Sequence, residues 1–124
     1  MDPTATTGPA RRARAQGVKA DRLQAALEDL DPQLAEWADG FIFGDVWAGD
    51  ELTHQERMVV AITALASTGR LLQLRNYLHG AVQDGMPAER LRAALRMLVV
   101  YCGFPVALDA LSELDRVVRA EARR

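Results

Sequence analysis

One cysteine in 124 residues, Cys102, excludes an internal disulfide and any Cys-x-x-Cys redox pair, and fits a reducing cytoplasm. Long apolar runs are missing as well. The nearest to one, Met97 to Leu108, spans twelve residues and is interrupted by Gly103 and Pro105, too short to cross a bilayer. The opening MDPTATTGPARRARAQG lacks the apolar stretch of a secretory signal. There is no excess of either charge: 15 basic against 17 acidic side chains leave a formal −2, so nothing asks for a polyanion, and neither a nucleic-acid nor a membrane partner is expected. Arg11, Arg12, Arg14 and Lys19 form the one local basic excess, and residues 1–19 read as a disordered, solvated basic tail. Alternating strand patterns, internal repeats and His/Cys/Asp/Glu runs at metal-ligand spacing are absent too, so no metal is expected.

What remains is helix. Hydrophobic residues make up 49% of the chain, enough for a packed core in one domain, here residues 20–124. Leu23, Ala26, Leu27 and Leu30 recur at helical spacing. Asp31-Pro32 is a cap followed by proline at the first helical position, and Leu34, Trp37, Ala38 and Phe41 should then share a face. Thr53-His54-Gln55-Glu56 carries the Thr-x-x-Glu capping box. The segment Met58 to Ala66 is apolar nearly all round, which demands cover by neighbours or a partner subunit. Leu71, Leu74, Leu78, Ala81 and Val82 form an amphipathic helix stopped at Gly85. A further helix starts at Pro87 and runs to Cys102, and a last one carries Leu108, Leu111, Leu114, Val117 and Val118. The fold class is all-α, about five to six helices.

Phe41-Ile42-Phe43-Gly44-Asp45-Val46-Trp47, Glu56-Arg57, the helix Gln73 to Val82 and Val100-Tyr101-Cys102-Gly103-Phe104-Pro105 follow one another in a recognisable order. In order and spacing, over residues 30 to 118, they resemble the carboxymuconolactone decarboxylase family. The family's pattern runs FG-x-VW, ER, an L-R-x-H helix with a Gly stop, then Y-[AC]-G-x-P. The resemblance implies an alkylhydroperoxidase D-like helical fold, a cofactor-free lyase, and a ring-like homo-oligomer, trimer or hexamer. One position departs from it: Tyr77 stands where the family carries its helix histidine. His79 cannot replace it from the same place, since helix positions two apart diverge by roughly 160°. In the peroxide-reducing branch of the wider superfamily a thiol pair falls at the positions of Arg70 and Gln73, so thiol peroxidase activity is not expected.

Decarboxylation without a cofactor requires a grip on the carboxylate in a poorly solvated place, an electron sink, and a proton for the resulting carbanion. Arg57 suits the first, because its guanidinium can hold a carboxylate or lactone oxygen by two hydrogen bonds; it could equally serve as a salt bridge at a helix start. Tyr77 is a proton or hydrogen-bond donor and a weak base at neutral pH, or else a half-buried core tyrosine. Glu56 orients or relays, although its place in the capping box works against a general-acid role. Phe41, Phe43 and Trp47 are either core or the apolar wall of a substrate pocket, to which His79, Tyr101, Cys102 and Phe104 are further candidates. Cys102 reads more simply as a small packed residue than as a nucleophile. His54 and His79 read as surface or interface histidines.

The reading is a cofactor-independent decarboxylase of a small unsaturated lactone or keto carboxylic acid. A biosynthetic cyclase, isomerase or lactone-opening enzyme on the same scaffold is the first alternative, since fold does not fix chemistry. A noncatalytic oligomeric binding module is the second.

Overall fold

Side-chain caps set three of the helix starts, at Thr7, Asp31 and Thr53. In the computed structural model, which describes residues 7–124, Asp31 accepts a hydrogen bond from the backbone N–H of Gln33 at 3.0 Å and opens α3, Pro32–Trp37. Thr53 and Glu56 close the reciprocal capping box that opens α4, His54–Ser67: Thr53 Oγ1 accepts from the Glu56 N–H at 3.1 Å and Glu56 Oε1 from the Thr53 N–H at 2.8 Å. Before them lie α1, Gly8–Gln16, a short 3₁₀ turn, Gly17–Lys19, and α2, Ala20–Leu30. After them come α5, Leu71–Gln83, α6, Ala88–Arg96, α7, Leu98–Tyr101, and α8, Phe104–Ala122. The expected run from Pro87 to Cys102 is thus divided after Arg96. The all-α class holds, with no strand among the described residues, and no described helix is long and apolar enough to cross a membrane.

Leu74 and Leu78 of α5 are fully enclosed by Met58 and Ile62 of α4, Leu91 and Leu95 of α6, and Leu114 and Val117 of α8. Each such aliphatic side chain contributes about 1.5–3 kcal/mol on burial, so α5 is the axis of the core. The other side of α5 is polar yet also covered. Arg75, His79 and Gln83 follow one another at i+4 and face α8, where Glu113 takes the Arg75 guanidinium through two oxygens at 2.8 and 3.2 Å. Glu121 Oε2 meets both His79 Nδ1 at 2.6 Å and Gln83 Nε2 at 2.8 Å. His79 is therefore buried, not the surface or pocket residue read from sequence. The reason is that α8 supplies carboxylates at matching intervals. Those contacts hold Glu113 below the usual carboxylate range, the Arg75 hydrogen bond first.

Two departures shape the site. The chain does not continue as an α-helix after Trp37: Ala38–Val46 is a π-helix, closed by the Trp47 N–H donating to the Ile42 carbonyl at 2.9 Å, an i→i+5 bond. The wider turn changes the angular step between side chains, so a wheel drawn at α-period from Leu34 fails. Within the π-helix Phe41 is exposed at 57% while Phe43 is buried; Trp37, the last residue of α3, is 52% exposed. The second departure is α1. Residues 8–19 are helical and packed against the body of the protein, correcting the reading of a disordered tail; residues 1–6 of that tail lie outside the described residues.

Buried polar chemistry docks α1. The Arg12 side chain, 7% exposed, donates from Nε to Asp39 Oδ1 at 2.7 Å and from Nη1 to the Ala20 carbonyl at 2.9 Å, and Gln24 takes the second Asp39 oxygen at 3.2 Å. Two glycines allow backbone to meet backbone. A Cβ on Gly80 of α5 would lie 1.8 Å from the Ala15 carbonyl oxygen, and one on Gly8 would lie 2.0 Å from that of Asp39.

Two variants test this docking. Arg12→Ala strands a half-buried Asp39 and is expected to lower unfolding free energy by about 2–3 kcal/mol. Gly80→Ala forces α1 off α5 at a cost of about 1–3 kcal/mol. Urea unfolding followed by circular dichroism reads both, and an unchanged midpoint in both variants contradicts a docked α1.

Candidate active site

The Thr53 capping box aims the first turn of α4 at the loop that leads into it. Arg57, one turn in, ties that loop down: Nη2 donates to the Ala48 carbonyl at 2.9 Å and Nη1 to the Leu52 carbonyl. A guanidinium has five N–H donors, so this tether leaves others for a ligand. Glu56 is held by the cap through Oε1, which accepts the Thr53 N–H, while the residue stays exposed. Its place is a cap, on the wall of an open groove of about 830 Å³ that also contains His54.

Between α1 and this turn lies a smaller, more enclosed pocket of about 230 Å³, below the roughly 300–1,000 Å³ typical of sites for drug-sized ligands. Arg57, His54, Trp47 and Leu52 line it from one side and Arg11 and Arg14 of α1 from the other. Three guanidiniums and an imidazole thus share a small space with no acidic side chain in its lining, in a chain that carries more acids than bases. The nearest counter-charge stands outside: Asp84 Oδ2 lies 2.9 Å from Arg14 Nε and 3.9 Å from His54 Nε2. Arg11 Nη1 is bonded to the Phe43 carbonyl at 2.9 Å, which fixes it to the π-helix.

His54 is the chemically adaptable member of this group. Its Nε2 is buried with no hydrogen-bond partner. Burial first, and then the charges of Arg14 and Arg57, push its pKa below the ordinary 6.5, with Asp84 pulling the other way. The free pocket therefore holds a neutral imidazole at pH 7. Trp47 packs beside it, ring centres 5.8 Å apart, and connects it to Phe43 at 5.2 Å and Tyr77 at 6.3 Å.

Of the residues expected from sequence, the structure brings together Arg57 and Trp47. Tyr77 is a neighbour of the pocket rather than part of its lining: its ring stacks on Trp47 at 28° and packs against the core. Burial pushes the phenol up from its ordinary value, and a side-chain hydrogen bond with Gln16 opposes this. Phe43 belongs to the core. Phe41, turned outward by the π-helix, and Tyr101, Cys102 and Phe104, at the corner between α7 and α8, are exposed and line none of these cavities. Cys102 Sγ reaches only Ser67 Oγ, at 3.5 Å. Gly103, at φ 98°, makes the turn between α7 and α8 on which Tyr101, Cys102 and Phe104 sit.

Sequence reasoning missed His54, Arg11 and Arg14. A signal existed for the first: His54 precedes Arg57 by three positions in one capped turn, so the two are neighbours on that helix. None existed for the arginines, whose role depends on α1 folding back. No group of three or more His, Cys, Asp or Glu that could hold a metal occurs among the described residues.

Comparison with known proteins agrees with this architecture. A nitrosuccinic acid decarboxylase of Metarhizium robertsii is 27% identical over 85 residues, covering 68% of this chain and 57% of the relative, so the chain spans little more than half the length of that protein. Residues 32–116, from the start of α3 into α8, match a single family description, and the chain belongs to the carboxymuconolactone decarboxylase family.

Proposed function

We propose that this protein is a cofactor-independent decarboxylase of a small carboxylic acid whose carboxyl-bearing carbon adjoins an electron sink, such as an unsaturated lactone, a keto acid or a nitro acid. The observation that carries the reading is the pocket between α1 and α4, small and positive, with an imidazole whose Nε2 is buried and an indole wall. Family membership and a relative named for decarboxylating nitrosuccinic acid support it.

In this mechanism Arg57 holds an anionic oxygen of the substrate by charge-assisted hydrogen bonds. The bond from the carboxyl carbon to its neighbour breaks, carbon dioxide leaves, and the electron pair passes into the sink. A carbanion or enolate remains, stabilised by the arginines in a place from which Trp47 and Leu52 exclude water. His54 then delivers a proton to carbon. Neutral in the free protein, it takes up a proton as an anion enters, because an added negative charge favours the imidazolium. Asp84, 3.9 Å away, steadies that cation. Tyr77 positions Trp47, and Glu56 positions the turn carrying His54 and Arg57.

Self-association belongs to the same proposal, as a trimer or hexamer in the cytoplasm. Val100, Tyr101 and Phe104 are 77%, 75% and 65% exposed in the single chain, an apolar corner suited to a second copy. Light scattering after gel filtration checks this: Phe104→Asp is expected to reduce the assembled mass, and a wild-type monomer refutes it.

Activity is checked by carbon dioxide release from unsaturated lactone, keto and nitro acids; release from none of them contradicts the proposal. Arg57→Gln is expected to lower kcat/KM by about ten- to a hundredfold, and His54→Gln to lower kcat by about a hundredfold. Tyr77→Phe should retain activity within about threefold, since its phenol carries no step.

The pH dependence follows from the lowered His54 pKa. With imidazolium as donor, kcat/KM falls as pH rises through a value below 6.5, while the limb in kcat lies higher because bound anion raises that pKa. Stability has the opposite sign: below 6.5 the unfolded chain binds the His54 proton more readily than the folded one, so acidification destabilises. His54→Gln removes both dependences; if the alkaline limb of kcat/KM persists in that variant, His54 is not the donor.

A further inference from the structure

The family match begins at residue 32, yet the pocket is closed by residues 11 and 14. Arg11 and Arg14 lie one turn apart on α1, separated by the buried Arg12 that locks the helix to Asp39. Their presence is more than one carboxylate needs. Arg57 alone offers a planar pair of donors, and packing three guanidiniums into about 230 Å³ is repulsive unless more than one negative group arrives with the ligand. Arg11 is anchored through one nitrogen to the Phe43 carbonyl and Arg14 through Nε to Asp84. Arg14 is half exposed, so its tie to Asp84 is a weak surface pair that an incoming anion can replace.

We infer that α1 completes a second anion subsite, in which Arg14, assisted by Arg11, holds the far carboxylate of a dicarboxylic acid whose reacting end lies on Arg57. This rests on the decarboxylase reading above and names its substrate class. It also gives Arg14 a positioning function. Asp84 is shared between Arg14 and His54, so a carboxylate that takes Arg14 releases Asp84 toward the imidazole and favours its protonation. The far end of the substrate thereby prepares the proton that the near end consumes. A monocarboxylic acid occupies Arg57 without exchanging the Arg14–Asp84 pair, so the proton uptake it induces at His54 is only that of its own charge and is smaller.

Isothermal titration of the full chain with succinate and with butyrate, acids of equal carbon number, tests the subsite. Wild type is expected to bind succinate about tenfold more tightly than butyrate, with proton uptake seen as a buffer-dependent heat. Arg14→Gln, at a half-exposed position, should weaken succinate about tenfold, weaken butyrate far less and lower the proton uptake on succinate to that seen with butyrate. Arg14→Lys should restore part of the preference. Equal affinity of wild type for the two acids overturns the second subsite while leaving the decarboxylase reading standing, as does an Arg14→Gln variant that loses both acids alike. Binding of neither acid overturns the anion pocket itself.

Discussion

The docking of α1 through the Arg12–Asp39 ion pair is the contact on which the site depends. A guanidinium that is almost wholly buried must be paired, and the paired carboxylate belongs to the π-helix. That one constraint places Arg11 and Arg14 opposite the first turn of α4. Gly80 completes it on the other side, because without a Cβ the α5 backbone can touch the Ala15 carbonyl. Remove the docking, and the enclosed positive pocket becomes an open face around His54 and Arg57.

The π-helix is the second half of the device. Its wider turn takes Phe43 into the core and sends Phe41 to the surface, and its end presents Trp47 to His54 and Tyr77 alike. π-helical turns occur frequently at functional sites, and here the consequence is concrete: the indole forms a wall of the pocket while its neighbours hold it against the core. The pairs Arg75–Glu113 and His79–Glu121 act at a distance, keeping α8 in register with α5 so that the core behind Trp47 does not shift.

The histidine that the family carries on its α5-equivalent helix is absent at Tyr77, yet the molecule is not short of an imidazole. His54, from a different helix, stands across Trp47 from the core and beside Arg57. In the proposed mechanism the imidazole therefore comes from another element, since a proton transfer depends on where the nitrogen is and not on which helix bears it. The phenol at 77, raised by burial, is suited to packing and poorly suited to acid–base work.

Local chemistry made much of this legible in the sequence: the caps at Asp31 and Thr53, the stop at Gly85, and the apolar spacing of α5 and α8. Each depends on residues within one or two turns, where periodicity and capping speak directly. What only the tertiary structure decided is everything that depends on partners distant in the chain. Arg12 meets Asp39 across 27 positions and His79 meets Glu121 across 42, so a run of arginines that reads as a solvated tail becomes a wall, and a histidine that reads as surface becomes buried. Periodicity shows which side of a helix is apolar. Whether the polar side meets water or a complementary charge is settled by what else folds against it, and here that is α1 and α8.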